Sequence, residues 1–118
     1  TVTGDVAVGD DASVAGRATG NQEAENDGSF DLATANFFTC TTSSGTTTLT
    51  FTNAAEGQSG IIKLVVGSGH VIEAHADVAI NADVLTALNT AGTYMLSYYC
   101  TAASGNDTIL VGATGALT

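Results

Sequence analysis

The sequence predicts an all-β fold, a β-sandwich or jelly-roll of about eight strands with an N-terminal β arm and at most one short helix. Only 12% of the 118 residues are charged, whereas about 25% is usual in globular domains. The polar positions are therefore occupied mainly by Thr, Ser, Asn and Gly, and the residues that favour exposed helix faces are scarce. Short runs that alternate between apolar and polar residues recur along the chain and are separated by turns that contain Gly.

The clearest alternation lies in residues 45–53, which read GTTTLTFTN. Thr47, Leu49 and Phe51 share one face of this predicted strand, because successive side chains of a strand point to opposite faces. The threonines between them line the other face. The pattern therefore predicts a strand with its apolar face in the core and a hydroxyl-lined face outside.

Other segments have the composition of strands, and they are residues 29–33, 35–42, 60–66, 70–76, 93–102 and 108–113. The Gly-Ser-Gly turn at residues 67–69 predicts that its two flanking strands pair as a hairpin. The turn at residues 104–107 predicts the same for the last two strands. The core candidates near the start of the body are Phe30, Leu32, Phe37 and Phe38.

One segment departs from the strand pattern. Residues 81–91 read as a short helix with Asn81 as N-cap and Gly92 just past its end. Its inner face would hold Val84, Leu85 and Leu88. The alternative is an irregular crossover between sheets.

The composition divides the chain into residues 1–28, an arm and linker, and residues 29–118, the β-sandwich body. Residues 1–20 contain short apolar runs cut by Gly, and these runs are too small to form a core alone. The polar run NQEAENDG at residues 21–28 is the linker candidate. We therefore predict that the arm mediates oligomerisation or docking through its valines, which are Val2, Val6, Val8 and Val14.

The net charge of −10 argues against binding to nucleic acid or to anionic membranes, since the only cationic side chains are Lys63 and Arg17. No motif predicts a catalytic site, a metal site or a cofactor site. His70 and His75 lie five positions apart and would point to opposite faces of a strand. The sequence therefore predicts a protein that is not an enzyme and takes no cofactor.

Two further groups of residues are candidates for structural or contact roles. Cys40 and Cys100 both lie in predicted strands, and they are either small buried core residues or the two halves of a disulfide. Tyr94, Tyr98 and Tyr99 lie in one strand, with Tyr99 on the face opposite to the other two. They are either half-buried strand aromatics or a surface contact with a subunit or receptor, because Tyr suits surfaces that are partly apolar and partly wet.

The run ANFFTCTTSSGTTTLTFTNAAEGQSGIIKLVVGSGHVI, followed by TAGTYMLSYYC and TILVGAT, resembles a β-sandwich domain of tailed-phage virion proteins. The similarity covers residues 35–113, and the opening TVTGDVAVGDDASVAG resembles the start of trimeric phage fibre shafts. The segment NADVLTALNTAG stands where that domain often has Trp and Pro. The resemblance implies a structural or adhesive protein that forms homotrimers and has no cofactor.

Together, these observations predict a capsid decoration protein (cement or knob protein), located in the virion on the outer capsid surface. Its partners would be further copies of itself and the major capsid protein, and the short chain favours this prediction over a fibre. The alternative is a tail-fibre head or receptor-binding domain, whose Thr-rich face or tyrosines would contact the host surface. A hydrolase of host polymers is a third class, for which the sequence supplies no residues.

Overall fold

A computed structural model describes all 118 residues and is mostly β, with one short helix. The elements are β1 (Gln22–Ala24), β2 (Ser29–Asp31), β3 (Phe37–Thr41), β4 (Thr46–Thr52), β5 (Ser59–Val66), β6 (Val71–Ala74), β7 (Val78–Ile80), α1 (Ala82–Ala87), β8 (Gly92–Cys100) and β9 (Ile109–Ala113). The predicted all-β class is thus confirmed. No helix is long and apolar enough to cross a membrane.

The strands form two sheets, and the chain passes from one sheet to the other at nearly every turn. The six-stranded sheet has the order β1-β3-β5-β8-β9-β7, and the three-stranded sheet has the order β2-β4-β6. Because β1 to β6 alternate between the sheets, neighbouring strands in each sheet run parallel, as in the pairs β3–β5 and β4–β6. An entirely parallel three-stranded sheet is not typical of a jelly-roll, whose strands are antiparallel.

The predicted hairpin across residues 67–69 is wrong, since β5 and β6 lie in different sheets. The Gly-Ser-Gly segment instead forms a corner between the sheets. Thr42 Oγ1 accepts a hydrogen bond from the Gly67 N–H at 3.0 Å and also contacts the ring of His70. This cluster fixes the corner, so the turn leads the chain away from β5 rather than back along it.

The second predicted hairpin is confirmed, because β8 and β9 pair in antiparallel register. β8 also pairs in antiparallel register with β5, from Ser59↔Tyr99 to Val66↔Gly92. β5 and β8 are therefore the centre of the six-stranded sheet. Their outward residues are positioned by neighbouring strands on both sides.

The two sheets share one core, in which aromatic rings from both sheets touch. The Phe30 ring centroid lies 5.2 Å from that of Phe38 and 5.3 Å from that of Phe51, and Phe51 in turn lies 5.2 Å from Tyr98. The predicted inward face of β4 is confirmed, with Leu49 fully buried. The other predicted core residues, Leu32 and Phe38 among them, are also buried.

Phe37 is an exception, since it is 37% exposed on the outside of the six-stranded sheet. Phe37 and Phe38 are adjacent in one strand, so they must point to opposite faces. Only Phe38 reaches the core.

The predicted helix is confirmed but is shorter than residues 81–91. Asn81 caps it as expected, because its Oδ1 accepts the N–H of Asp83 at 2.9 Å and that of Val84 at 3.2 Å. Leu88 is buried just after the helix, and the side chains of Val84 and Leu85 are half-buried.

The linker prediction for residues 21–28 needs correction, because this segment belongs to the body. It contains β1, which pairs in parallel with β3. Asn26 Oδ1 accepts the Thr41 N–H at 2.9 Å, and Gly28 has a φ of 82° beside β4. A polar composition indicated a linker, but these side chains satisfy backbone groups at the edge of the sheets. The body therefore begins at residue 21.

Candidate interaction surfaces

The N-terminal arm, residues 1–20, extends from the body without regular secondary structure. Its only hydrogen bond lies within the arm, from the Asp11 N–H to Asp10 Oδ1. Every arm residue is exposed, and its valines Val2, Val6, Val8 and Val14 have exposed fractions of 69, 66, 53 and 63%. The structure thus places the predicted contact residues on a segment that its own chain leaves uncovered.

The arm joins the body at one edge of the six-stranded sheet. The backbone of Gly20 lies so close to the Phe37 ring that a Cβ at this position would overlap the ring. One residue later, Asn21 Nδ2 donates to Thr34 O at 2.7 Å, and Asn21 O accepts from the Phe37 N–H at 3.3 Å. The chain is therefore held from Gly20 onward, and the arm departs beside Phe37.

The outward side of the six-stranded sheet forms the second surface, which we call the outer face. Its large side chains are Phe37, Ile61, Lys63, Met95, Tyr99 and Leu110, and the register places Thr39 beside Lys63 and Ser97 beside Ile61 on the same side. Phe37 pairs with Ile61, Lys63 with Met95, and Tyr99 with Leu110. Met95, Tyr99 and Leu110 are 44, 48 and 45% exposed, so the outer face presents large apolar side chains to solvent.

The charge of the outer face differs from that of the molecule as a whole. The chain carries 12 acidic residues and a net charge of −10, yet no acid lies in β3, β5, β8 or β9. The only charged side chain in these strands is Lys63, which is also the only lysine of the chain. The outer face therefore combines large apolar side chains with uncharged Thr and Ser and one positive charge, on a molecule that is otherwise acidic.

Of the two interpretations of the tyrosines, strand aromatics or a surface contact, the first holds for Tyr94 and Tyr98. Tyr94 and Tyr98 are each only 3% exposed. The hydroxyl of Tyr94 lies 3.1 Å from Ala87 O, at the end of α1, and donates to Thr90 O at 2.8 Å, in the turn that follows. The hydroxyl of Tyr98 donates to Asn36 O at 2.8 Å. Tyr99 points outward, as the period of two requires, and remains a contact candidate on the outer face.

Cys40 and Cys100 are both free and fully buried, so they are core residues and not a disulfide. Cys40 lies in β3 at the level of Leu64, which is itself paired with Tyr94 in β8. Cys100 is six residues further along β8, which corresponds to ~20 Å along the strand. A disulfide requires Cα atoms within about 7 Å of each other, and the register of the strands excludes this.

Burial raises the pKa values of both cysteine thiols and of the Tyr98 hydroxyl. It raises the pKa of the Cys40 thiol to about 11 and the pKa of the Tyr98 hydroxyl to about 12. Burial raises the pKa of Cys100 as well. The folded state therefore holds these protons more tightly than the unfolded chain does, and deprotonation favours unfolding.

We expect the stability of the protein to be constant at neutral pH and to fall in alkaline solution. The stabilising contribution of the Cys40 thiol is complete below its ordinary pKa of 9.0 and is lost as the pH rises towards about 11. The Tyr98 contribution is lost between its ordinary pKa of 10.0 and about 12. The measurement is the urea midpoint as a function of pH. The fall should be shallower in Cys40→Ala, and a midpoint that stays constant through pH 11 would contradict the prediction.

The two histidines flank β6 and do not converge. His70 belongs to the corner with Thr42, whereas His75 Nδ1 lies 3.4 Å from Asp77 Oδ1 on the surface. The structure contains no group of three or more His, Cys, Asp or Glu side chains that could hold a metal ion, and it has no pocket.

The outer face was not predicted as a surface, although the sequence holds a signal for it. β5 reads as a near-continuous apolar run, from Ile61 to Val66, interrupted only by Lys63. Such runs are typical of strands that are covered on both faces, whereas β5 is covered here on one face only.

Comparisons with protein-family models, with curated proteins and with solved structures found no match.

Proposed function

We propose that the protein is a non-enzymatic structural component of a tailed virus, which decorates the outside of the capsid as a homotrimer bound to the major capsid protein. The observation that supports this proposal most strongly is the arm, a segment of 20 residues with four exposed valines that leaves a compact β body. The resemblance of residues 35–113 to virion β domains supports the viral assignment.

The energetics of the arm explain why its valines alone cannot hold it in one conformation. Burial of a valine side chain contributes roughly 1.5–3 kcal/mol, whereas ordering the backbone of one residue costs about 1–2 kcal/mol. Four valines among the residues of the arm cannot offset the cost of ordering all of them. Stable docking therefore requires further contacts from a partner surface, such as a neighbouring copy or the shell.

The architecture that we propose for this function keeps the two packed sheets of the predicted sandwich. Two sheets pack face to face over a shared core, as the contact between Phe30 and Phe38 illustrates. The parallel winding of β1 to β6 replaces the Greek-key connections of a jelly-roll. A body of this kind can present the arm at the edge of the six-stranded sheet, beside Phe37.

A tail-fibre head that contacts the host surface is the second candidate function. The exposure of Tyr99 beside Leu110 favours it, since partly apolar, partly wet aromatic residues are common at binding surfaces. The two functions differ in location on the particle. Electron microscopy of intact virions labelled with an antibody against the body would show the label distributed over the head for a decoration protein and at the tail for a fibre head.

Deletion of residues 1–20 is expected to leave a folded β domain that no longer forms trimers or binds particles. The reason is that the body holds all of the hydrophobic core and all of the sheet pairing, whereas no hydrogen bond joins the arm to it. Thermal melting followed by circular dichroism tests folding, and sedimentation velocity tests assembly.

The matched control for this deletion is a full-length chain in which the four arm valines are replaced by Ser, so that length and charge are kept. It should also lose assembly if the valines provide the contacts. A truncated protein that fails to fold would make the arm a part of the body. A truncated protein that still decorates particles at unchanged occupancy would move the anchor onto the body.

A further inference from the structure

The large exposed apolar residues of this chain concentrate on the two surfaces described above. The arm has its four valines, and the outer face has Phe37, Met95, Tyr99 and Leu110; outside these surfaces only Val71 and Leu117 are comparably exposed. Monomeric proteins rarely leave contiguous apolar patches open to water. Each surface would bury apolar area if it were covered, and each has the chemistry to cover the other.

Charge complementarity supports the same pairing. Residues 1–20 contain Asp5, Asp10 and Asp11 against the single cation Arg17. An acidic arm is repelled by most of a molecule that has a net charge of −10. The outer face is the one sheet surface without acids, and Lys63 lies in the middle of it, between Thr39 and Met95.

The arm is long enough to reach a second molecule. Twenty residues in extended conformation span up to ~70 Å, whereas the longest dimension of the whole molecule is 47 Å. The outer face of a six-stranded sheet is only about 24–29 Å wide across the strands. An arm that leaves one copy beside Phe37 can therefore cross to the outer face of a neighbour and run along it.

The arm of the same chain does not cover the outer face. All four valines are more than half exposed, and so the arm is not seated on its own sheet. At the same time, β5 has the near-continuous apolar sequence of a strand with cover on both sides. The missing cover thus has to come from outside the chain.

We propose that the outer face of each copy binds the N-terminal arm of a neighbouring copy. In this exchange the arm valines pack against Met95, Tyr99 and Leu110, while Asp10 and Asp11 lie near Lys63. This inference rests on the homotrimer of the proposed function and adds which surfaces form it. Around a closed ring of copies, every arm is bound and every outer face is covered.

Crosslinking between differently labelled chains tests the exchange directly. One full-length chain carries Val8→Cys and a second carries Met95→Cys, and the two are mixed under native conditions with a bifunctional maleimide. Cys40 and Cys100 are buried and do not compete for the reagent. We expect a crosslinked product that contains one chain of each kind.

The matched control replaces Met95→Cys with Val71→Cys, which is similarly exposed at 39% but lies on the three-stranded sheet. The Met95 pair should crosslink at least about tenfold better than this control, the ratio that corresponds to 1.4 kcal/mol in preference. Equal yields for the two pairs would overturn the inference. So would a double variant, Val8→Cys with Met95→Cys in one chain, that crosslinks only within itself.

A charge reversal gives a second test with its own rescue. Lys63→Glu should weaken the trimer about tenfold in sedimentation at low salt, and the added substitutions Asp10→Lys and Asp11→Lys should restore it. Sedimentation, crosslinking and the state of the protein on the particle together separate the two proposals. A trimer that is indifferent to Lys63→Glu and lacks the Met95 crosslink overturns the arm exchange alone, whereas a monomer on the particle overturns the homotrimer and the exchange together.

Discussion

Replacement of Phe51 by alanine is expected to lower the free energy of unfolding by ~3–5 kcal/mol, as for other buried aromatic residues. Phe51 is 5% exposed and joins the two sheets. Its ring lies 5.3 Å from Phe30, within its own sheet, and 5.2 Å from Tyr98, in the facing sheet. The truncation removes both aromatic contacts and leaves a cavity in the core. Urea denaturation monitored by circular dichroism measures the change.

The matched control for Phe51→Ala is Thr46→Ala, on the same strand but with an exposed side chain. Its effect should stay within about 0.5 kcal/mol, as is usual for surface positions. Phe51→Leu keeps most of the volume and should cost less than the alanine variant. A loss under about 1 kcal/mol for Phe51→Ala would mean that the register of β4 is reversed at this position.

Replacement of Gly60 by alanine is expected to destabilise the protein by about 3 kcal/mol, at the upper end of the cost of overpacking. A Cβ at Gly60 would overlap the carbonyl oxygen of Asn36 and would lie 2.6 Å from the Tyr98 hydroxyl. That carbonyl accepts the hydrogen bond of Tyr98 at 2.8 Å and the Ile61 N–H at 3.3 Å. Because the obstacle is backbone, relief requires β5 to separate from the segment before β3. The measurement is again the urea midpoint.

Gly112→Ala is the control for this substitution, since Gly112 lies in β9 of the same sheet. Its added Cβ would meet only Ser97 Oγ at 3.4 Å, a distance close to ordinary van der Waals contact. The control should change stability by less than about 1 kcal/mol, which is the span of strand propensities. If Gly60→Ala were as mild as Gly112→Ala, the close approach of β5 to Asn36 would be refuted.

The net charge of the protein limits which of its surfaces can meet in an assembly. Copies with a net charge of −10 repel one another, so a trimer needs contacts at places where acids are absent. The outer face meets this requirement through its strand composition, and Lys63 adds attraction for an acidic arm. We therefore expect assembly through the outer face to be less opposed by electrostatic repulsion than assembly through any acidic surface.

The sequence by itself determined most of the longer elements and the faces of the strands that it predicted, whereas it missed the short strands β1 and β7. The period of two in residues 45–53 identified Leu49 and Phe51 as core residues, because alternation along a strand is a local property. Asn81 was identified as a helix cap for the same local reason, since its side chain bonds N–H groups only two and three residues away. The turn at residues 104–107 likewise predicted the pairing of β8 with β9.

Only the tertiary structure decided which strands are neighbours. Alternation specifies the two faces of a strand but not its partner, so the Gly-Ser-Gly turn at residues 67–69 was compatible with a hairpin and with the observed corner. The same limit applies to Cys40 and Cys100, whose separation depends on β5 lying between their strands. It applies also to the outer face, because Met95 and Leu110 became parts of one surface only when β5, β8 and β9 were placed side by side.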